Sequence, residues 1–281
     1  MVALWGLIVV AATTSDALLD RIAADSAGGD PIVVTVYVAL CDTGSQGVIA
    51  DKHPHMCKGG TTHNLYWTTA SGPKGFLGKR QHGWQRLAYE KNVTAEIAAR
   101  GVWKKRVATG PELTQRGAPT HLDLVVVAIA YEGPAIAASV RDFLRAVAND
   151  DPQTVRLRGT EISYGGASHV LAFMGHDYFM DVADTSPLLS EASGNGQLHK
   201  GALALSCLSD TYFRPALAQP TTRILVLNKT LTYPSFFTIA GVLEGLVAGE
   251  DPEGIRRRAA RAFATTQGKS FEEMLDHLAG P

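Results

Sequence analysis

Three cysteines in 281 residues, a formal net charge of −1 and no apolar run of membrane length mark what this chain lacks. So few cysteines exclude a disulfide-dense scaffold, and their odd number leaves at least one thiol unpaired within the chain. Balanced charge, with a pI near 6.8, provides no basic footprint for a phosphate backbone and excludes a nucleic-acid binder driven by electrostatics. Neither Gly-x-Gly-x-x-Gly nor Gly-x-x-x-x-Gly-Lys-[Ser/Thr] occurs, which removes the common phosphate cradles. Gly-x-Ser-x-Gly is missing too, which counts against an α/β-hydrolase. What the chain does have is apolar bulk: 46% hydrophobic and 19% charged residues exclude disorder and a coiled coil.

Residues 1–12 form an apolar run of signal-core length without the basic residues that usually precede one. Two readings stay open for residues 1–30: an atypical export signal, which makes the mature protein periplasmic or secreted, or an N-terminal helical segment of a cytoplasmic fold. Beyond it, short apolar runs at 32–40, 122–131, 169–174, 202–206 and 223–227 read as buried parallel strands closed by polar or glycine residues. Helical patterns at 135–148, 236–247 and 253–265 fall between or after them. Strand and helix alternate, which predicts an α/β architecture with a mostly parallel sheet covered on both faces. No linker or internal repeat divides residues 31–281, so one domain is expected, with an elaborated, weakly patterned segment at about 72–117. The basic cluster at 256–258 with Arg261 reads as a solvated helix face.

In a parallel sheet, ligands and catalytic groups gather at the carboxyl ends of strands. Four such ends carry polar residues here: 41–47, Gly175-His176-Asp177, 207–210 and 228–230. His176 and Cys207 close strands that follow one another in sequence, 31 residues apart, which leaves room for one crossover and sets the two loops side by side. A thiol beside an imidazole forms a nucleophile and base pair able to attack an acyl carbonyl. The bland alternative is a buried structural cysteine and a satisfied core histidine.

The segments 170–177 and 202–209 resemble the two signature strands of caspase-like cysteine peptidases, where one apolar strand ends in the catalytic His and the next ends in a small residue followed by the catalytic Cys. The resemblance implies a caspase-like three-layer α/β/α sandwich, His176 as general base and leaving-group acid, Cys207 as nucleophile, a peptide or protein substrate and no cofactor. It covers roughly residues 120–230 and extends to the strand at 32–40. In that family a Gly directly after the His lends its amide to the oxyanion hole. Here Gly175 precedes His176 and Asp177 follows it, while Ser206 replaces the family's Ala before the Cys. Gly175 and Asp177 are therefore the oxyanion or orienting candidates.

Asp42 and Gln46 at the first strand end, and Asn228 at the last, are candidates for orienting His176 or holding substrate, although a turn built by Asp42 and Gly44 explains the first pair as well. The loop 64–67 reads as a polar site loop. Asp42-Thr43-Gly44 also occurs in aspartic peptidases, but one copy lacks the second carboxylate. Cys41, His53, His55, Cys57 and His63 fall within 23 residues in no usual zinc-finger spacing. Loop histidines are the first reading of this group, a Cys41–Cys57 disulfide in an exported protein the second, and zinc the third. No metal is assigned. The competing function is a non-catalytic α/β module that binds a small ligand or protein at the carboxyl edge of the sheet. Neither a membrane span in the mature chain nor a nucleic-acid partner is expected, and oligomeric state stays open.

Overall fold

A computed structural model describes residues 16–47, 54–157 and 159–281. The apolar run 1–12 and His53 lie outside the described residues. Strand β1 (Ile32–Ala39) has every residue buried, as its near-continuous Val/Ile content demands of a strand covered on both faces. Around it runs an eight-stranded sheet in the order β10-β9-β8-β7-β1-β4-β3-β2. Here β2 is Gln85–Lys91, β3 Ile97–Ala108, β4 His121–Tyr131, β7 Val170–Met174, β8 Lys200–Leu205, β9 Thr222–Asn228 and β10 Leu278–Ala279. The five central strands β4, β1, β7, β8 and β9 are parallel, whereas β2, β3 and β10 add antiparallel edges. Strands β5 (Pro152–Leu157) and β6 (Thr160–Gly165) form a separate hairpin. The chain is thus mixed α/β with a large, mostly parallel sheet.

Alternation divides β1 between two cores: Val34, Val36, Val38 and Leu40 join one, Val33, Tyr37 and Ala39 the other. The first core is closed by α1 (Ala17–Ala27), α3 (Phe236–Ala248) and α4 (Pro252–Gln267), and the second by α2 (Ile136–Ala148). Helix α1 starts at Asp16, whose carboxylate accepts from the amides of Leu18 and Leu19, so its apolar stripe of Leu18, Leu19 and Ile22 enters the core. A short helix α5 (Phe271–His277) opens with a reciprocal capping box between Ser270 and Glu273 and leads into β10.

The weakly patterned segment 72–117 contains β2 and β3, a hairpin that extends the sheet beyond β4. Strand β2 is an edge with most of its side chains half-buried or exposed, so no alternation of polarity was required of it. Among the described residues no helix is long and apolar enough to cross a membrane.

Candidate functional site

Strands β7 and β8 are neighbours, run parallel and pair in register, with Met174 opposite Leu205. His176 and Cys207 each follow their strand's last paired residue by two positions, so they leave the sheet at the same level and on adjacent strands. The Gly175 amide donates to the carbonyl of Leu205 at 3.3 Å and extends the pairing one residue further. A Cβ on Gly175 would lie 2.8 Å from that of Ala39, so only glycine lets β7 pass this close to β1 just before His176.

The imidazole of His176 is largely covered, and its Nε2 lies 2.8 Å from Oδ2 of Asp181. A carboxylate accepts, so this contact places the ring proton on Nε2 and leaves Nδ1 as the basic atom. Asp177, between the two, is fully buried and begins a short helical turn, Tyr178–Met180. Its carboxylate accepts from the amide of Phe179 at 3.1 Å and from the Ser206 hydroxyl at 3.3 Å, which ties the histidine loop to the cysteine loop. Burial, with the charge of Asp181 nearby, pushes the Asp177 carboxyl up to about 7.

Cys207 is half-buried, and its sulfur lies 3.4 Å from the amide nitrogen and 3.5 Å from the carbonyl oxygen of Thr232. Burial raises its thiol above the ordinary range, the Thr232 backbone contact opposes this, and the nearby Asp177 charge adds to the rise. Leu208, directly after it, has φ +53°, a left-handed conformation that costs a non-glycine residue about 1–2 kcal/mol. Its amide donates to the carbonyl of Thr230 at 3.1 Å, and the short helix Ser209–Tyr212 follows. A strained backbone next to a cysteine at a strand end is the kind of outlier found at functional sites. Asn228 is buried beneath, donating to the carbonyl of Ser206 at 3.1 Å, while its own amide donates to Ser209 Oγ at 2.8 Å.

A second loop, residues 64–67, brings Tyr66 near Cys207. Asn64 clamps it to the end of β1, accepting from the Cys41 amide at 3.1 Å and donating to the Cys41 carbonyl at 2.9 Å. Tyr66 and Tyr233 meet edge to face with ring centroids 5.9 Å apart, and Tyr233 donates its hydroxyl to the Leu65 carbonyl. Burial raises the Tyr66 phenol, and the neighbouring Cys207 and Tyr233 add to the rise.

The structure brings His176, Asp177, Gly175, Cys207 and Asn228 to one end of three adjacent strands, β7, β8 and β9. Asp42 and Gln46 share that edge but are committed to their own turn. Asp42 caps the short helix Thr43–Gln46 by accepting from Gly44 N and Ser45 Oγ, and Gln46 donates to the carbonyls of Leu40 and Gly133. Asp181 and Thr232 carry no sequence signal beyond their nearness to the histidine and to the end of β9, and were not anticipated. Cys41 and Cys57 pair as a disulfide, their Cα atoms 4.7 Å apart, which leaves Cys207 as the free thiol. Among the described residues no group of three or more His, Cys, Asp or Glu side chains is arranged to hold a metal ion. No protein-family model, curated protein or solved structure matches the chain.

Proposed function

We propose that this chain is a caspase-like cysteine peptidase, built as a three-layer α/β/α sandwich, that cleaves a peptide or protein substrate by acyl transfer through Cys207. The observation that carries this reading is the shared register of β7 and β8, which delivers an imidazole and a free thiol from adjacent strands at one level.

His176 accepts the thiol proton at Nδ1 while Asp181 holds Nε2–H, and the sulfur adds to the scissile carbonyl carbon. Collapse of the tetrahedral adduct breaks the C–N bond; His176 returns the proton to the leaving amine, and a thioester remains on Cys207. Water, deprotonated by His176, then adds to the thioester, and cleavage of the C–S bond releases the acid and restores the thiol. Since burial and Asp177 hold the thiol above its ordinary range, the resting cysteine is protonated, and deprotonation belongs to the attack step.

That same raised thiol, hydrogen-bonded to Thr232, favours the second reading, a non-catalytic module whose cysteine is structural. Labelling separates the two. A peptidyl acyloxymethyl ketone should alkylate Cys207 in the intact protein, and His176→Ala should abolish the preference for the peptidyl reagent over a simple alkyl halide. Equal labelling of both proteins, or none in either, overturns the peptidase reading in favour of the module.

A further inference from the structure

Away from Cys207, a cleft of about 570 Å³ opens between helix α3, the end of strand β3 and the segment 76–84. Small-ligand sites commonly span about 300–1,000 Å³. One wall is apolar: Leu243 and Val247 from α3 face Phe76 and Leu124 across it.

The polar groups on the cleft are unusual for a surface groove. His82 is stacked on Phe76 with ring centroids 3.9 Å apart and planes within 9°, which fixes its orientation. Its Nε2 is shielded from solvent without a hydrogen-bond partner among the described residues, and Thr109 Oγ1 is in the same position. Native proteins pair nearly all such atoms, so two orphans on one cleft call for a missing partner. Lys105 completes the set: its ammonium lies 5.9 Å from the centroid of Trp84, and among the described residues it forms no ion pair. Glu244, also on the cleft, is turned to Arg258 at 4.0 Å, and Arg258 in turn pairs with Glu250. Burial, together with the charges of Lys79 and Lys105, lowers the His82 imidazole and keeps it neutral near neutral pH.

An ammonium, a hydroxyl and a neutral imidazole are all able to donate, and they border an apolar trough. We propose that this cleft binds a small amphipathic monocarboxylate, its carboxylate taken by Lys105 on the side of the cleft that His82 and Trp84 line, and its hydrocarbon laid along Leu243, Val247 and Leu124. A charged head and an apolar tail use both halves of the lining, whereas a sugar or a nucleotide would leave the hydrocarbon wall against polar groups.

The test is calorimetric titration of the full chain with octanoate as probe and 1-octanol as its uncharged counterpart. Saturable one-to-one binding of octanoate is expected, with affinity lower by roughly tenfold for 1-octanol and for octanoate on Lys105→Met, the loss typical of one charge-assisted contact. Ala240→Trp, which adds bulk to the cleft from a half-buried position on α3 away from Lys105, should remove binding while circular dichroism shows the fold retained. Absence of saturable octanoate binding to the folded wild type overturns the proposal, as does equal affinity in all three proteins. Cys207 takes no part in this readout, so either outcome leaves the peptidase reading as it stands.

Discussion

Replacing Asp177 by Asn should make the protein more stable at pH 8 and leave its stability near pH 4 almost unchanged. The carboxyl is fully buried and, among the described residues, accepts only from the Phe179 amide and the Ser206 hydroxyl and has no cation against it. Burial therefore raises it from the ordinary 3.8 to about 7. With the folded value above the unfolded one, the native state binds the extra proton between those two pH values. Stability then falls as pH rises through the window, and the loss is complete above it. A rise from 3.8 to about 7, at about 1.36 kcal/mol per pH unit, corresponds to a cost of up to about 4 kcal/mol at pH 8. Asn keeps the shape and the acceptor for Phe179 N, and because the value near 7 already includes the hydrogen bonds from Phe179 and Ser206, the gain at pH 8 should approach that cost, about 3–4 kcal/mol. Urea denaturation of both proteins at half-unit steps from pH 4.5 to 8.5 measures it. The difference curve should rise from pH 3.8 to about 7 with half its height midway, at about 5.4, and alkylation of Cys207 should shift to lower pH in the variant because a neighbouring negative charge is gone. A flat difference curve, or an Asn variant less stable than wild type at pH 8, refutes the assignment of a buried, uncompensated carboxylate.

Two further outcomes follow from other buried groups. Lys200 is completely enclosed at the start of β8, donating to the carbonyls of Ala146 in the last turn of α2 and of Asn149 just past it, and pairing with Asp150 at 3.0 Å. Lys200→Met strands those acceptors and should cost about 3–5 kcal/mol by chemical denaturation; a loss below ~1 kcal/mol would show that the ammonium makes no net contribution. Thiol titration of the air-oxidised, denatured protein should count one reactive cysteine without reductant and three with it. Three in both conditions would remove the Cys41–Cys57 bond.

The central strands were legible because burial on both faces leaves a parallel strand no choice but continuous apolar sequence, as in β1, β4, β7, β8 and β9. The hairpin β2–β3 was not, because β2 is a half-buried or exposed edge and β3 buries little beyond Ala98, Ala99 and 101–103, which leaves neither strand a long apolar run. Helices α2, α3 and α4 were legible within a residue or two at each end, since each carries an apolar stripe that has to meet the sheet. Hairpin β5–β6 buries only Val155, Ile162, Tyr164 and Gly165, too little to impose a pattern on its sequence.

For the site, sequence order was enough to place His176 and Cys207 on successive strands, because a crossover between parallel strands returns the chain to a neighbouring position. The contacts that decide chemistry were out of reach. Asp181 meets Nε2 of His176 only because the turn Tyr178–Met180 folds back, and that turn is capped by Asp177. Asp177 therefore does more than cap the turn: the carboxyl bridges Phe179 N and Ser206 Oγ and holds the two loops together, with a negative charge placed near the thiol. A glycine would release that charge and also the bridge. Catalysis at such a site rests on whether His176 can take the proton from a thiol that burial keeps protonated, and for that reason the His176→Ala labelling experiment discriminates where thiol reactivity alone would not.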